Sequence, residues 1–301
     1  MPRGEYHMRP PTQGFTLIEM AIVLVIIGLI VGGVLVGQDL IRAAGVRATI
    51  TQVEKFNTAV NTFYGKYGAL PGDLNAQVAN TFGFTPRGQY AGQGDGNGIL
   101  EGVNGNNPGA NWGIDIGAGE NAMFWVDLTS ANGLNVNLIE GSFSAPSPTT
   151  PPSSPVTGAA LNNWLPSAKL GRGNYFYTYS LHPGCVGNGS SWWYGMNNLF
   201  GLSAITSIQT NSAADSTPAL TVAEAYAIDK KTDDGVATSG NVQAMYADDN
   251  TFPGCGEGFT SNATPVTATS CFDTASGNYA LAVNGGAGVN CALSFNIQGG
   301  D

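Results

Sequence analysis

The chain has 301 residues, 43% of them hydrophobic and only 11% charged, with 43 glycines, which excludes a coiled coil and a charge-rich disordered chain and leaves material for a real core. Eleven Lys and Arg against 21 Asp and Glu give a net charge of −10, arguing against a nucleic-acid surface, which needs clustered cations to displace phosphate counterions. With two histidines, His7 and His182, mechanisms that need a histidine base plus histidine metal ligands are almost excluded.

Residues 15–36 read FTLIEMAIVLVIIGLIVGGVLV, with a single charge at Glu19. As a helix rising about 1.5 Å per residue this covers about 33 Å, enough to cross a bilayer's hydrocarbon. The polar leader of residues 1–14 carries Arg3 and Arg9 against Glu5. Basic residues hold that end in the cytoplasm, so everything after Val36 is expected on the other side of the membrane. The alternative is an ordinary secretory signal, but the segment exceeds a usual signal core and no clear A-x-A-like cleavage site follows. Gly28 with Gly32 and Gly33 with Gly37 form small-xxx-small patterns that let helices approach closely, although glycine is also common in membrane helices in general.

The amphipathic continuation covers 37–67. Val53, Phe56, Val60, Phe63 and Tyr67 recur at spacings of three and four, drawing one apolar stripe with Lys55, Asn57, Asn61 and Lys66 off it. The spacing predicts one helix from Phe15 to about Lys66, roughly 78 Å long, stopped by Gly65, Gly68 and Pro71.

The junction Gly14-Phe15-Thr16-Leu17-Ile18-Glu19, behind a basic leader and ahead of an apolar run, resembles the class III signal of type IV pilins and type II secretion pseudopilins. The resemblance implies that a prepilin peptidase cuts after Gly14 and methylates the new amino terminus at Phe15, while the apolar helix is kept. A carboxylate in an apolar helix costs about 2.5–3.5 kcal/mol on insertion scales and is usually paired or functional. Cleavage would create an ammonium at Phe15, and a neighbouring subunit's ammonium would neutralise Glu19 and set subunit register. The alternative is a carboxyl that stays protonated in lipid. The proline many pilins carry near the depth of Val36 is missing, and Gly32, Gly33 and Gly37 occupy that stretch.

Residues 68–301 read as an exported, loop-rich head. Five cations against seventeen acids over 72–301 give −12 and a soluble anionic surface. A short helix is expected over Glu120–Ala131, and the capping box Thr221-Val-Ala-Glu224 opens another that ends near Gly235. Strands are expected at Tyr175–Leu181, Tyr279–Val283 and Ala292–Ile297. The Pro/Ser/Thr-rich stretch 142–157 reads as an extended surface loop. The fold class is therefore α+β and pilin-like, a long N-terminal helix packed on a loop-rich head with a small antiparallel sheet. Leu70-Pro-Gly-Asp73, Gly94-Asp-Gly-Asn-Gly98, Leu165-Pro-Ser-Ala-Lys-Leu170 and Ile228-Asp-Lys-Lys-Thr-Asp-Asp-Gly235 look like segments of the same group of cleavage and methylation domain proteins.

Asp95, Asn97 and Glu101 alternate oxygen side chains with glycines, a pattern that can wrap a hard cation such as calcium. The run begins like an EF-hand loop but has Asn106 at the twelfth position instead of Glu. The resemblance makes calcium relevant, since major pseudopilins bind it in their heads. The alternative is a glycine-rich turn whose Asp and Asn bond their own backbone. Asp229, Asp233 and Asp234, interleaved with Lys230 and Lys231, read as a solvated charge run. The cysteines Cys185, Cys255, Cys271 and Cys291 all lie in the exported region and predict two disulfides with three possible connectivities. The preferred pairing is Cys271 with Cys291 and Cys185 with Cys255. A four-thiolate zinc site would want C-x-x-C pairs, which are absent. Trp192, Trp193 and Tyr194 read as packing residues rather than a sugar platform, and His182 as structural.

The function expected from these readings is that of a non-enzymatic structural subunit of a type IV pilus-like or type II secretion pseudopilus filament. It starts as a single-pass inner-membrane protein and ends in a periplasmic or extracellular filament. The implied partners are its own copies and other pilins, the prepilin peptidase, and an inner-membrane assembly platform with its ATPase. The rival readings are a membrane-anchored enzyme or carbohydrate-binding protein and a tip adhesin or minor pilin.

Overall fold

The computed structural model describes residues 15–103, 111–129, 136–181, 198–248, 257–260 and 262–299. The chain divides into two compact units, Met1–Ala44 and Gly45–Asp301. Helix α1, Leu17–Tyr67, begins in the first unit and ends in the second. In the first unit the helix leaves its apolar side chains, from Leu17 through Ile41, exposed within the single chain. It is long and apolar enough to cross a membrane.

In the second unit α1 buries Val46, Thr49, Ile50, Val53, Phe56, Ala59, Val60, Phe63 and Tyr67. This is the stripe that the helical period marked, extended by about two turns toward the N-terminus, to Val46. Among the described residues three further α-helices follow, α2 (Ala76–Phe82), α3 (Glu120–Leu128) and α4 (Val222–Thr232). Helix α4 opens on the expected capping box, with Thr221 Oγ1 accepting the Glu224 N–H and the Glu224 carboxylate accepting the Thr221 N–H. Two helix ends fall earlier than expected. Helix α3 stops at Leu128, where the Thr129 hydroxyl bonds the carbonyls of Trp125 and Val126, and α4 stops at Thr232 because Asp233 leaves helical geometry.

The strands among the described residues are, in chain order, β1 (Gly102–Val103), β2 (Asn111–Trp112), β3 (Val156–Thr157), β4 (Asn174–Ser180), β5 (Asn198–Ile208) and β6 (Ala214–Thr217). They continue as β7 (Leu220–Thr221), β8 (Val242–Gln243), β9 (Met245–Ala247), β10 (Glu257–Phe259), β11 (Val289–Cys291) and β12 (Leu293–Asn296). The principal sheet is antiparallel with six strands built around β5. Residues 199–202 of β5 pair with both β4 and β12, so these two strands lie on its opposite edges. Strands β3 and β6 pair its C-terminal half, and β8 flanks β12. The expected strand over Tyr279–Val283 is absent. Tyr279 makes one isolated bridge to Phe272, and turn hydrogen bonds from Leu281 to Tyr279 and from Val283 to Ala280 curl the segment away.

The helix meets the head through aromatic side chains. Phe56 of α1 packs edge-on against Trp125 of α3 at 5.0 Å and Phe176 of β4 at 5.2 Å, and lies 5.8 Å from Phe200 of β5. Edge-to-face pairs of this kind add about 0.5–1.5 kcal/mol each beyond area burial. Polar residues of α1 off the stripe fasten head backbone at its flanks. Gln52 binds the Ser167 carbonyl and the Lys169 N–H, and Asn57 and Asn61 take the N–H and carbonyl of Gln298. A disulfide joins Cys271 to Cys291. Cys185, Cys255, His182 and Trp192–Tyr194 lie outside the described residues.

Candidate functional site

The first turn of α1 is closed by its own side chains. The Thr16 carbonyl accepts the Met20 N–H at 3.3 Å. Thr16 Oγ1 accepts the Glu19 N–H at 3.3 Å, and the Glu19 carboxylate accepts the Thr16 N–H at 2.7 Å and its hydroxyl at 2.8 Å. This is a capping box, in which two orphan donors at the helix start are satisfied reciprocally. Within one chain the carboxylate is thus held by Thr16, a partner the sequence reading did not consider. The signal was present, since Thr16-x-x-Glu19 has the same form as Thr221-x-x-Glu224.

Around this start the helix is an apolar rod with no partner among the described residues. Phe15 is 79% exposed and Leu17 91%. A Cβ added at Gly28, Gly32, Gly33 or Gly37 meets nothing within 4 Å apart from the helix's own backbone. A contiguous apolar surface this long marks a site for lipid or protein contact. Gly14 lies outside the described residues.

In the head, the Asp95 turn wraps two buried carboxyls. Asp73 accepts the N–H groups of Gly96 and Gly98, each at 2.7 Å. Glu120, at the start of α3, accepts those of Gly94 at 3.0 Å, Asp95 at 3.3 Å and Glu101 at 2.9 Å. Gly94 is required for this path: its φ is +100°, and a Cβ there would stand 2.4 Å from the Leu74 carbonyl oxygen. Successive N–H groups turned inward make an anion-holding concavity, and here the anions are the protein's own.

Asp95 bonds the Asn97 N–H and side-chain amide, and Asn97 Oδ1 accepts the Ile99 N–H. The local hydrogen bonding is therefore that of a glycine-rich turn. One oxygen each from Asp73, Asp95 and Glu120 nevertheless lie within 4.8 Å of one another. Of the residues singled out in the sequence, Asp95 is in this group; Asn97 contributes to the turn, and Glu101 donates its N–H to Glu120. Burial, with the Asp95 charge adding to it, pushes the Asp73 carboxyl up to about 7 against the pull of the Gly98 and Gly96 N–H groups. Burial and the neighbouring Asp73 charge raise Glu120 well above the carboxylate range. Crowded carboxyls relieve their repulsion by holding a proton or a cation, and an all-oxygen donor set suits a hard divalent ion.

The second acidic group departs from the sequence reading. Asp229 is fully buried, accepting the Tyr279 hydroxyl at 2.8 Å and the Gly235 N–H at 3.0 Å. Asp233 accepts the Val242 N–H, and Asp234 the Val236 N–H and the Ser239 hydroxyl. The departure is at Asp229, buried in the last turn of α4; Asp233 is half-buried, and Asp234, Lys230 and Lys231 are exposed as expected of a solvated run, with Asp233 and Asp234 bonding the chain that follows the helix.

Residues 9–35 match the model described as the prokaryotic N-terminal methylation motif, the signature of type IV pilins and pseudopilins. The match spans the end of the basic leader, the Gly14–Phe15 junction and most of the apolar segment. The N-terminal part of this chain is therefore of the pilin or pseudopilin precursor type, which points to a structural subunit. The apolar helix and the motif together fit a membrane-anchored precursor. No curated protein and no solved structure matches the chain.

Proposed function

We propose that this protein is the precursor of a filament subunit, cut after Gly14, methylated at Phe15, and assembled through residues 15 to about 66 with the head displayed on the filament surface. The observation that carries the proposal is the methylation motif of residues 9–35, which runs into a helix from Leu17 whose first turn is capped and whose apolar surface has no partner among the described residues. Hydrocarbon covers that surface before assembly, and the helices of neighbouring copies replace it afterwards. Open glycine faces at Gly28, Gly32, Gly33 and Gly37 suit close helix contact. In the assembled state Glu19 keeps its Thr16 bonds and accepts the ammonium of a neighbour's Phe15, which removes the cost of burying the acid. The partners are other pilin copies, the prepilin peptidase and an inner-membrane platform with a cytoplasmic ATPase. Calcium at the Asp95 turn belongs to the same proposal, with the carboxylates of Asp73 and Glu120 as further oxygen donors.

The test is made on the full chain in its own cells. Wild-type protein is expected to begin at a methylated Phe15, and Gly14→Val to retain the leader and form no filaments. Glu19→Ala is expected to be cut normally yet to yield few fibres. A native product that begins at Met1 would establish a plain membrane anchor instead.

A further inference from the structure

We propose that the loop over residues 142–157 is an acceptor site for O-linked sugar, with Ser153 and Ser154 as the primary positions and Thr149 and Thr150 as secondary ones. The segment reads SFSAPSPTTPPSSPVT, in which five prolines, five serines and three threonines leave only three other residues and no charge. Proline fixes φ and removes the donors that a helix or a ladder needs, and Ser/Thr-rich sequence with proline is the composition of O-glycosylated stalks.

The structure shows that this loop is pinned and presented. Phe143 is buried 6.5 Å from the Trp125 ring. The Ser147 carbonyl accepts the Gly119 N–H at 3.0 Å, and Pro148 is buried beside it. At the far end Val156 and Thr157 pair with Ile208 and Ser207 of β5. Between these pins Thr149, Thr150, Ser153 and Ser154 are all exposed.

The hydroxyls differ in their engagement. Ser147 Oγ is occupied by the N–H groups of Thr149 and Thr150, and the two threonine hydroxyls lie 3.3 Å apart and bond each other. Ser153 and Ser154 sit in a bend between Pro152 and Pro155, and their hydroxyls donate to no described residue. Elsewhere in the head the hydroxyls of Thr178, Ser203, Thr260 and Ser294 are buried and bonded. The reaction would be glycosyl transfer from a sugar phosphate ester. The serine Oγ attacks the anomeric carbon, the bond from that carbon to the donor phosphate breaks, the phosphate leaves with the electron pair, and the Oγ proton passes to a base of the transferase. No redox change is involved.

The experiment is intact-protein and peptide mass spectrometry on full-length protein purified from its own cells. The wild type is expected to carry discrete increments of monosaccharide size on the peptide spanning 142–157. Ser153→Ala/Ser154→Ala should remove the main increment, and adding Thr149→Ala/Thr150→Ala should remove the remainder. These four positions are exposed, so processing after Gly14 and the melting temperature should be unchanged, which separates failure of this site from failure of the filament reading. A product whose mass equals the unmodified sequence, or a sugar that persists in the fourfold variant, overturns the proposal. Blocking synthesis of polyprenyl-linked sugars distinguishes the donors: loss of the increment supports a lipid-borne donor, and persistence a nucleotide-borne one.

Discussion

Arg87 and Asp127 form an ion pair sealed from solvent, 2.5 Å apart with side-chain exposures of 0% and 1%. The same oxygen of Asp127 accepts the Gly72 N–H at 2.7 Å, and Arg87 also donates to the Thr85 carbonyl. The pair therefore ties the turn after α1 and the segment after α2 to helix α3. Burial raises the Asp127 carboxyl, and the guanidinium and the Gly72 N–H pull it back. Removing one partner of such a pair strands the other charge, at a cost of about 3–5 kcal/mol. Arg87→Met is expected to lower head stability by that order in denaturant melts, and a loss under 1 kcal/mol would show that the pair is not needed.

Asn57 and Asn61 of α1 hold both backbone groups of Gln298 at 3.1 and 2.9 Å. Each bond is worth about 0.5–1.5 kcal/mol net. The variant Asn57→Ala/Asn61→Ala should lose about 1–3 kcal/mol and become clipped by proteases near residue 298 while β12 stays protected from hydrogen exchange. An unchanged cleavage pattern would refute the clamp.

Asp229 gives the head a pH dependence. Burial, reinforced by the charges of Asp234 and Asp233, lifts its carboxyl to about 7, against the Tyr279 hydroxyl and the Gly235 N–H. Its native value lies above its unfolded one, so the native state binds the proton more tightly. The resulting stabilisation is complete below about pH 4 and disappears as pH rises through about 7. Asp73 and Glu120 carry the same sign. Glu224, held low through Arg172 and Thr221 despite the opposing effect of its burial, has the opposite sign and loses its contribution in acid. The melting temperature should fall between pH 5 and 8, and Asp229→Asn should flatten that fall. A variant that keeps the full slope would place the dependence elsewhere.

Calcium at the Asp95 turn is expected to raise the melting temperature of the wild type in millimolar titration, and Asp95→Asn to blunt the response. A flat titration of folded wild type would leave the Asp73 and Glu120 carboxyls sharing protons rather than a cation.

Several elements were legible because they depend on neighbours in sequence. The stripe from Val53 to Tyr67 has the helical period, and Thr221 to Glu224 closes over three residues. The sheet's central strand was not, because Asn198–Ile208 is broken by Gly201, Ser203 and Ser207 and lacks the usual branched alternation. Its composition answers to a distant partner. A Cβ at Gly201 would stand 2.2 Å from the Tyr177 ring, which lies over the glycine, and Ser203 bonds the Tyr177 hydroxyl. The carboxyl group formed by Asp73, Asp95 and Glu120 was only one-third visible for the same reason, since Asp73 follows α1 and Glu120 opens α3. Asp229 sat in a charge run whose local appearance gave no sign of its hydrogen bond from the Tyr279 hydroxyl, fifty residues on.

The position of Phe56 bears on how the head carries load. Its ring is lodged among Trp125, Phe176 and Phe200, which come from one helix and two strands. Tension applied along residues 45–67 enters the head as shear across interlocked rings, spread over three elements at once. Detaching the helix would require the sheet to yield with it, so under traction the head should part as a unit rather than peel away from its rod.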